Sequence, residues 1–212
     1  IVVTNTPLPV LEPTAEHAFA LMHAAARRVA ELDRTIRDHT AEPMAIMNNL
    51  GNILYGKRLG IIGLGRIGQA LARRAFASSM EIVYHNRKPL DTSHLPTRTD
   101  LPQSLQDLQS LAVRSAQYLS FDELLATSDF VSLNLPYSAE VHHLIGAEQL
   151  QMMKPSAFLI NTARGAHIDV PALAQALRRH ACAWRLDGEG FGAREGAGHA
   201  REEVRGRGCV PL

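Results

Sequence analysis

From Thr14 to about Asp38, apolar residues recur at intervals of three and four, through Phe19, Met22, Ala26, Val29, Leu32 and Ile36. That period predicts one long helix with an apolar stripe turned to a core, and Thr14 is placed to cap its start. Ahead of it, Ile1 to Thr4 reads as a short strand, and Pro7, Pro9 and Pro13 punctuate an intervening loop. Behind it, "HTAEPMAIMNNLGNILYG" has no period and reads as loop or linker.

From Arg58 the pattern becomes short apolar runs alternating with amphipathic ones. "RLGIIGL", "MEIVYHN", "DFVSLNLP" and "AFLINTA" are strand candidates; "RIGQALARRAFA", "SFDELLAT", "AEQLQMM" and "DVPALAQALRR" are helix candidates. Ser120 and Glu123 have capping-box spacing, and Asp169 with Pro171 marks a helix start. Strands alternating with helices predict an α/β fold, a parallel sheet covered on both faces. Residues 88–118 are longer than a usual connection, but Leu101, Leu105, Leu108 and Leu111 predict a helix inside them. The last 27 residues, 186–212, hold 7 of the 15 glycines and little apolar pattern, so that tail is expected to be disordered.

Composition narrows the class. The chain has 212 residues, 46% hydrophobic and 20% charged, which suits an ordinary globular protein. A net charge of +1 gives no whole-molecule attraction to nucleic acid or anionic lipid. No apolar run reaches the roughly 18 residues of a membrane span. Two cysteines, Cys182 and Cys209, make no disulfide framework, so a reducing, cytoplasmic setting is expected. No histidine pair has zinc-ligand spacing, and no metal site is expected. The chain starts at Ile1 as if a strand were already under way and reads as a fragment, with any targeting signal on the missing part.

The chemistry gathers at two strand ends. "GLGRIG" sets Gly63, Gly65 and Gly68 in G-x-G-x-x-G spacing between a strand and a helix, the context of a dinucleotide site. Gly63 permits the tight turn, Gly65 lets a pyrophosphate approach the backbone, and Gly68 lets the helix pack on the strand. First-turn amides around Arg66 and Ile67 would face the phosphates. An NAD site tends to place a carboxylate about 20 residues further on. Asn86, 18 residues past Gly68, is followed by Arg87 and Lys88 instead, which suits a 2′-phosphate: NADP(H) is preferred and NAD(H) stays open. The second strand end is "LINTARG", where a buried run breaks off at Asn161 and presents Arg164. Ligands of open α/β sheets bind at the carboxyl ends of strands.

"TAEHAFALMHAAARRV", "YGKRLGIIGLGRIGQALARRA", "SDFVSLNLP", "HHLIG", "MKPSAFLINTARG" and "ALAQALR", in this order, resemble the D-isomer-specific 2-hydroxyacid dehydrogenases, and most of all their glyoxylate/hydroxypyruvate reductase branch. The likeness runs from residue 1 to about 179. It implies a Rossmann-type, doubly wound dinucleotide-binding domain over residues 14–185. Residues 1–13 would be a hinge strand and loop of a substrate domain that is otherwise missing, and 186–212 an aberrant tail, as from a shifted reading frame. It implies that Arg164 binds the carboxylate of a 2-oxoacid or 2-hydroxyacid and polarises its carbonyl, a task that suits a permanently charged, bidentate guanidinium. It further implies that Leu135 and Pro136 pass under the adenosine, that Thr162 and Ala163 lie beside the nicotinamide ribose, and that helix 14–38 forms a homodimer surface.

The family's histidine acid and its partner glutamate have no counterpart here. Asp187 matches the family's nicotinamide-facing aspartate poorly, and His199 lies in unrelated context. Losing a general acid typically slows a reaction ~10²–10⁴-fold, and an absent closing domain removes water exclusion, so the chain is expected to turn over little by itself. Two other readings stay open: a non-catalytic dinucleotide-binding regulatory module, and an S-adenosylmethionine methyltransferase, against which "HNRK" argues.

Overall fold

A computed structural model describes residues 7–40, 50–91 and 101–179. The expected first strand, the tail, both cysteines, Asp187 and His199 lie outside the described residues.

Seven α-helices and five strands are described: α1 (Pro7–Ala26), α2 (Val29–Arg37), β1 (Arg58–Ile62), α3 (Arg66–Ala77), β2 (Glu81–His85), α4 (Gln103–Ser115), β3 (Gln117–Tyr118), α5 (Phe121–Thr127), β4 (Phe130–Leu133), α6 (Ala147–Met152), β5 (Phe158–Asn161) and α7 (Val170–Arg179). The strands form one parallel sheet in the order β3-β2-β1-β4-β5. Strand order reverses between β1 and β4, which makes the cleft there the switch point of a Rossmann-type fold.

Strand alternation divides the core in two. Leu59, Ile61, Ile82, Tyr84, Phe130, Phe158 and Ile160 face one side and pack with α1, α3 and α4. Val83, Val131, Leu133 and Leu159 face the other, against Leu124, Leu125, Leu150 and Leu173 of α5, α6 and α7. Phe130 and Phe158, partners in register, stack with ring centroids 4.8 Å apart. Both faces being covered explains why the strands read as unbroken apolar runs rather than alternating ones.

The N-terminal region departs from expectation. The prolines do not make a loop: the helix starts at Pro7 and runs through Pro13. The first turn has no acceptors for its amides, so prolines there lose nothing, and Pro13 forfeits one bond. Thr14 is therefore no cap, and its hydroxyl donates back to the Val10 carbonyl at 2.6 Å. Nor is the helix continuous. It stops at Ala26, and Arg28 takes a left-handed conformation (φ 58°). The amide of Asn52 caps the Ala26 carbonyl at 2.7 Å. Gly51 lets this crossing occur, since a Cβ there would stand 2.6 Å from the Ala26 oxygen. Beyond the break Val29 and Ile36 are exposed, and α2 buries no residue.

The helix expected within 88–118 is α4, but its buried positions are Gln109, Ala112 and Val113 while Leu105 and Leu111 face outward. Ser120 caps α5 as predicted, its Oγ accepting from the Glu123 amide at 3.2 Å. Asp169 caps α7, its Oδ1 accepting from the Ala172 amide at 3.1 Å.

Candidate functional site

The glycine loop leaves β1 at the switch point. Gly63 has φ 95°, a conformation that disfavours any side chain, and a Cβ on it would stand 2.8 Å from the Asn134 oxygen and 3.2 Å from the Leu135 nitrogen. The first turn is thus pressed against the segment leaving β4. Gly68 lies so close to the Gly63 carbonyl and to Ile61 that α3 rests directly on the end of β1. Gly65 is the opposite case, with no atom within 4 Å of its would-be Cβ. It is exposed, as is Arg66, while Ile67 is half-buried. The turn therefore leaves open space at its tip, in front of first-turn amides that have no acceptor within the helix. That is the cradle a pyrophosphate fits.

Asn86 follows β2 and is tied to the same loop. Its Oδ1 accepts from the Leu64 amide at 2.8 Å, leaving its NH2 donors for other work. Strand β3, not anticipated from sequence, steadies this end. His85 Nδ1 lies 3.0 Å from the Leu119 carbonyl, and the Tyr118 hydroxyl donates to the Asn86 carbonyl at 3.4 Å. Arg87 and Lys88 come next, both exposed and in no ion pair among the described residues.

The segment after β4 carries Asn134, Leu135 and Pro136. Asn134 Nδ2 donates to Ser132 Oγ at 3.0 Å, and its buried Oδ1 has no partner among the described residues. Leu135 is half-buried and Pro136 exposed.

Strand β5 ends at Asn161, beside Leu133 of β4. Thr162 and Ala163 are half-buried, and the Thr162 hydroxyl is enclosed without a partner among the described residues. Arg164 is exposed, and its Nη1 donates to the Ala163 carbonyl at 2.7 Å. Asn161 was not foreseen as part of the site. Its Oδ1 accepts from the Ala163 amide at 3.0 Å and its Nδ2 donates to the Arg164 carbonyl at 2.8 Å. The signal for it was an asparagine closing an apolar run, the residue type that bonds its own backbone two or three positions on.

Behind the arginine lies His167, wholly buried. Its ring approaches the Pro136 and Arg164 carbonyls outside hydrogen-bonding geometry. Burial, chiefly, and the charge of Arg164 push its pKa below the ordinary imidazole range, against the pull of those two carbonyls.

The glycine loop, the residues after β4 and the Thr162–Arg164 turn thus leave one edge of the sheet, at the switch point and beside it. No group of three His, Cys, Asp or Glu that could hold a metal occurs among the described residues. No described helix is long and apolar enough to cross a membrane.

Comparison with known proteins agrees with this arrangement. Residues 19–187 match the family described as D-isomer specific 2-hydroxyacid dehydrogenase, NAD binding domain. A glyoxylate reductase of Thermococcus litoralis is 42% identical over 182 residues, covering 84% of this chain and 50% of that protein. A glyoxylate reductase of Korarchaeum cryptofilum is 43% identical over 182 residues, covering 84% and 49%. The crystal structure of a glyoxylate reductase from Paecilomyes thermophila superposes with a TM-score of 0.71 at 39% identity, covering 92% of this chain and 53% of that one. The chain spans about half the length of the curated relatives it matches.

Proposed function

Since the chain belongs to the D-isomer specific 2-hydroxyacid dehydrogenase family and carries its NAD-binding domain, we propose that it is the cofactor half of a 2-oxoacid reductase. Its substrates are glyoxylate- or hydroxypyruvate-like, and it prefers NADP(H) to NAD(H). The observation that carries this reading is the convergence of the glycine loop, the Asn134–Pro136 segment and Arg164 on one sheet edge at the switch point.

A bound nicotinamide supplies the hydride. The protein's share is to hold and orient. The amides around Arg66 and Ile67, in front of the open space at Gly65, take the pyrophosphate. Leu135 and Pro136 would hold the adenosine, and Thr162 and Ala163 the nicotinamide ribose. Arg164 takes the substrate carboxylate through paired hydrogen bonds and draws charge from the neighbouring carbonyl. Asn86 Oδ1 is engaged by the Leu64 amide, which leaves its NH2 group to donate, and Arg87 and Lys88 add two charges. Donors and cations suit a 2′-phosphate better than ribose hydroxyls.

A charge-assisted contact contributes about 1.5–3 kcal/mol, so NADPH should bind roughly tenfold or more tightly than NADH. Replacing Arg87 and Lys88 by alanine should erase that difference in a fluorescence titration. Equal affinities in the unaltered chain would sink the preference. Little or no NADPH oxidation with glyoxylate is expected from this chain alone, because the family's histidine acid and its partner glutamate have no counterpart in its sequence. Sustained turnover would overturn the cofactor-half reading. We place homodimerisation within residues 14–38 on α2, whose Val29 and Ile36 are exposed; sedimentation equilibrium returning only monomer would remove it.

A further inference from the structure

We infer that Asn161 is the positioning residue for Arg164: its buried carboxamide fixes the backbone from which the guanidinium projects. The inference rests on the reading of Arg164 as the carboxylate binder.

Asn161 is the fourth residue of β5, after Phe158, Leu159 and Ile160, and only 7% exposed. A carboxamide in that setting costs free energy unless its polar atoms are paired. Both are paired, and both within the next three residues. The Ala163 amide donates to Oδ1 at 3.0 Å, and Nδ2 donates to the Arg164 carbonyl at 2.8 Å. These bonds hold the chain on either side of the Ala163–Arg164 peptide.

The Arg164 carbonyl also accepts the His167 amide at 3.2 Å. The next residues are anchored in turn, with the His143 amide on the Ala166 carbonyl at 2.8 Å and the Ile145 amide on the His167 carbonyl at 2.9 Å. Arg164 is thereby kept extended, at φ −147° and ψ 139°. The guanidinium is exposed and its Nη1 donates to the Ala163 carbonyl at 2.7 Å, within the peptide the carboxamide holds, so its aim depends on where that backbone sits.

Few other side chains would serve. Aspartate keeps the acceptor for Ala163 but has no donor for the Arg164 carbonyl, and its charge competes for the guanidinium. Alanine supplies neither bond. Bidentate carboxylate binding is demanding, and a misplacement of about 1 Å can cost on the order of 100-fold in a positioned reaction.

The test uses the full chain, ¹⁵N-labelled and saturated with NADPH. Oxamate, a non-reducible analogue of a 2-oxoacid, is titrated while the Arg164 side-chain Nε–H resonance is followed. Backbone relaxation at Ala163 and Arg164, NADPH affinity and the melting midpoint are measured on the same samples. Asn161→Ala and Asn161→Asp should weaken oxamate binding about tenfold or more and raise the mobility of the two amides. NADPH affinity should stay within about twofold.

Should Asn161→Ala fail to fold, the near-isosteric Asn161→Asp carries the test. Unchanged oxamate affinity in the folded variants overturns the inference while leaving Arg164→Ala free to confirm the carboxylate reading. A loss of oxamate binding matched by equal losses in NADPH affinity and melting midpoint also overturns it, since Asn161 would then be merely structural. If Arg164→Ala binds oxamate as tightly as the unaltered chain, the carboxylate reading falls and this inference with it.

Discussion

A methyl group on Gly65 would meet no atom within 4 Å, whereas one on Gly68 would run into the Gly63 backbone. The three glycines of the loop therefore answer different questions when substituted. Gly65 is the N-cap of α3, where valine is a poorer residue, so Gly65→Val should still fold but lose about 0.5–1 kcal/mol. Its branched side chain should fill the space a pyrophosphate needs and weaken NADPH binding at least tenfold, about 1.4 kcal/mol. Gly68→Ala should instead destabilise the fold through a backbone collision. A Gly65→Val chain that folds cooperatively and still binds NADPH as well as the parent would place the phosphates elsewhere. These steric differences were legible from spacing alone, because G-x-G-x-x-G implies a turn, an open tip and a helix contact. The bonds of Asn86 and Asn161 were not. Each is an asparagine at a strand end, and sequence does not say whether such a carboxamide turns to a ligand or to its own backbone. Asn86 bonds an amide 22 residues away, which no local pattern reveals.

Among the elements, α1 is held by a charged cluster as well as by its apolar face. Arg73 of α3, buried, donates to Gln109 of α4 at 2.8 Å and to Glu12 of α1 at 2.7 Å, and Arg74 donates to the same Glu12 oxygen at 2.7 Å. One carboxylate thus ties α1 to α3, and one guanidinium ties both to α4. Removing Glu12 leaves a buried cation short of its counter-charge, a loss of about 3–5 kcal/mol in a fully buried pair. Glu12 and Arg74 keep some solvent contact, so Glu12→Ala should lose roughly 2 kcal/mol in urea unfolding. A loss under about 0.5 kcal/mol would show that apolar packing alone seats α1. The cluster also shows where periodicity misleads. The stripe from Phe19 to Ile36 was continuous in sequence, yet its second half faces outward, because the Ala26 carbonyl meets the Asn52 amide and the chain breaks there. In α4 the leucines have helical spacing, but a buried Gln109 sets the inward face by pairing with Arg73. Polar residues chosen by a distant partner override an apolar stripe, and the stripe carries no trace of the partner.

At the scale of the whole molecule, Glu12, Asp129 and His167 among the described residues couple stability to pH, in two separate windows. Burial alone would raise the pKa of Glu12, but hydrogen bonds from Arg74 and Arg73 outweigh it and the value is lowered. Burial would likewise raise that of Asp129, which instead is lowered by the Arg58 amide at 2.9 Å and the Lys154 ammonium at 2.9 Å. A depressed carboxylate stabilises the fold above its ordinary titration range, and that stability is lost as pH falls towards the lowered value. His167 works from the other side of the charge scale. Its pKa is lowered mainly by burial, so below the ordinary imidazole range the unfolded chain takes up a proton that the folded chain refuses, and stability falls with pH there too. Acid should therefore weaken the domain in two steps, a first just under neutrality from His167 and a second in the carboxylate range from Glu12 and Asp129. His167→Leu should flatten the first slope and leave the second. Glu12→Gln with Asp129→Asn should lower stability near neutrality and flatten only the second. Urea midpoints measured from pH 8 to pH 3 would separate the two. A single slope untouched by His167→Leu would mean the ring protonates in place, which its enclosure between Arg164 and the β4 exit argues against. Because His167 lies directly behind Arg164, the same titration on NADPH-bound chain reports whether acid loosens the arginine turn before it loosens the sheet.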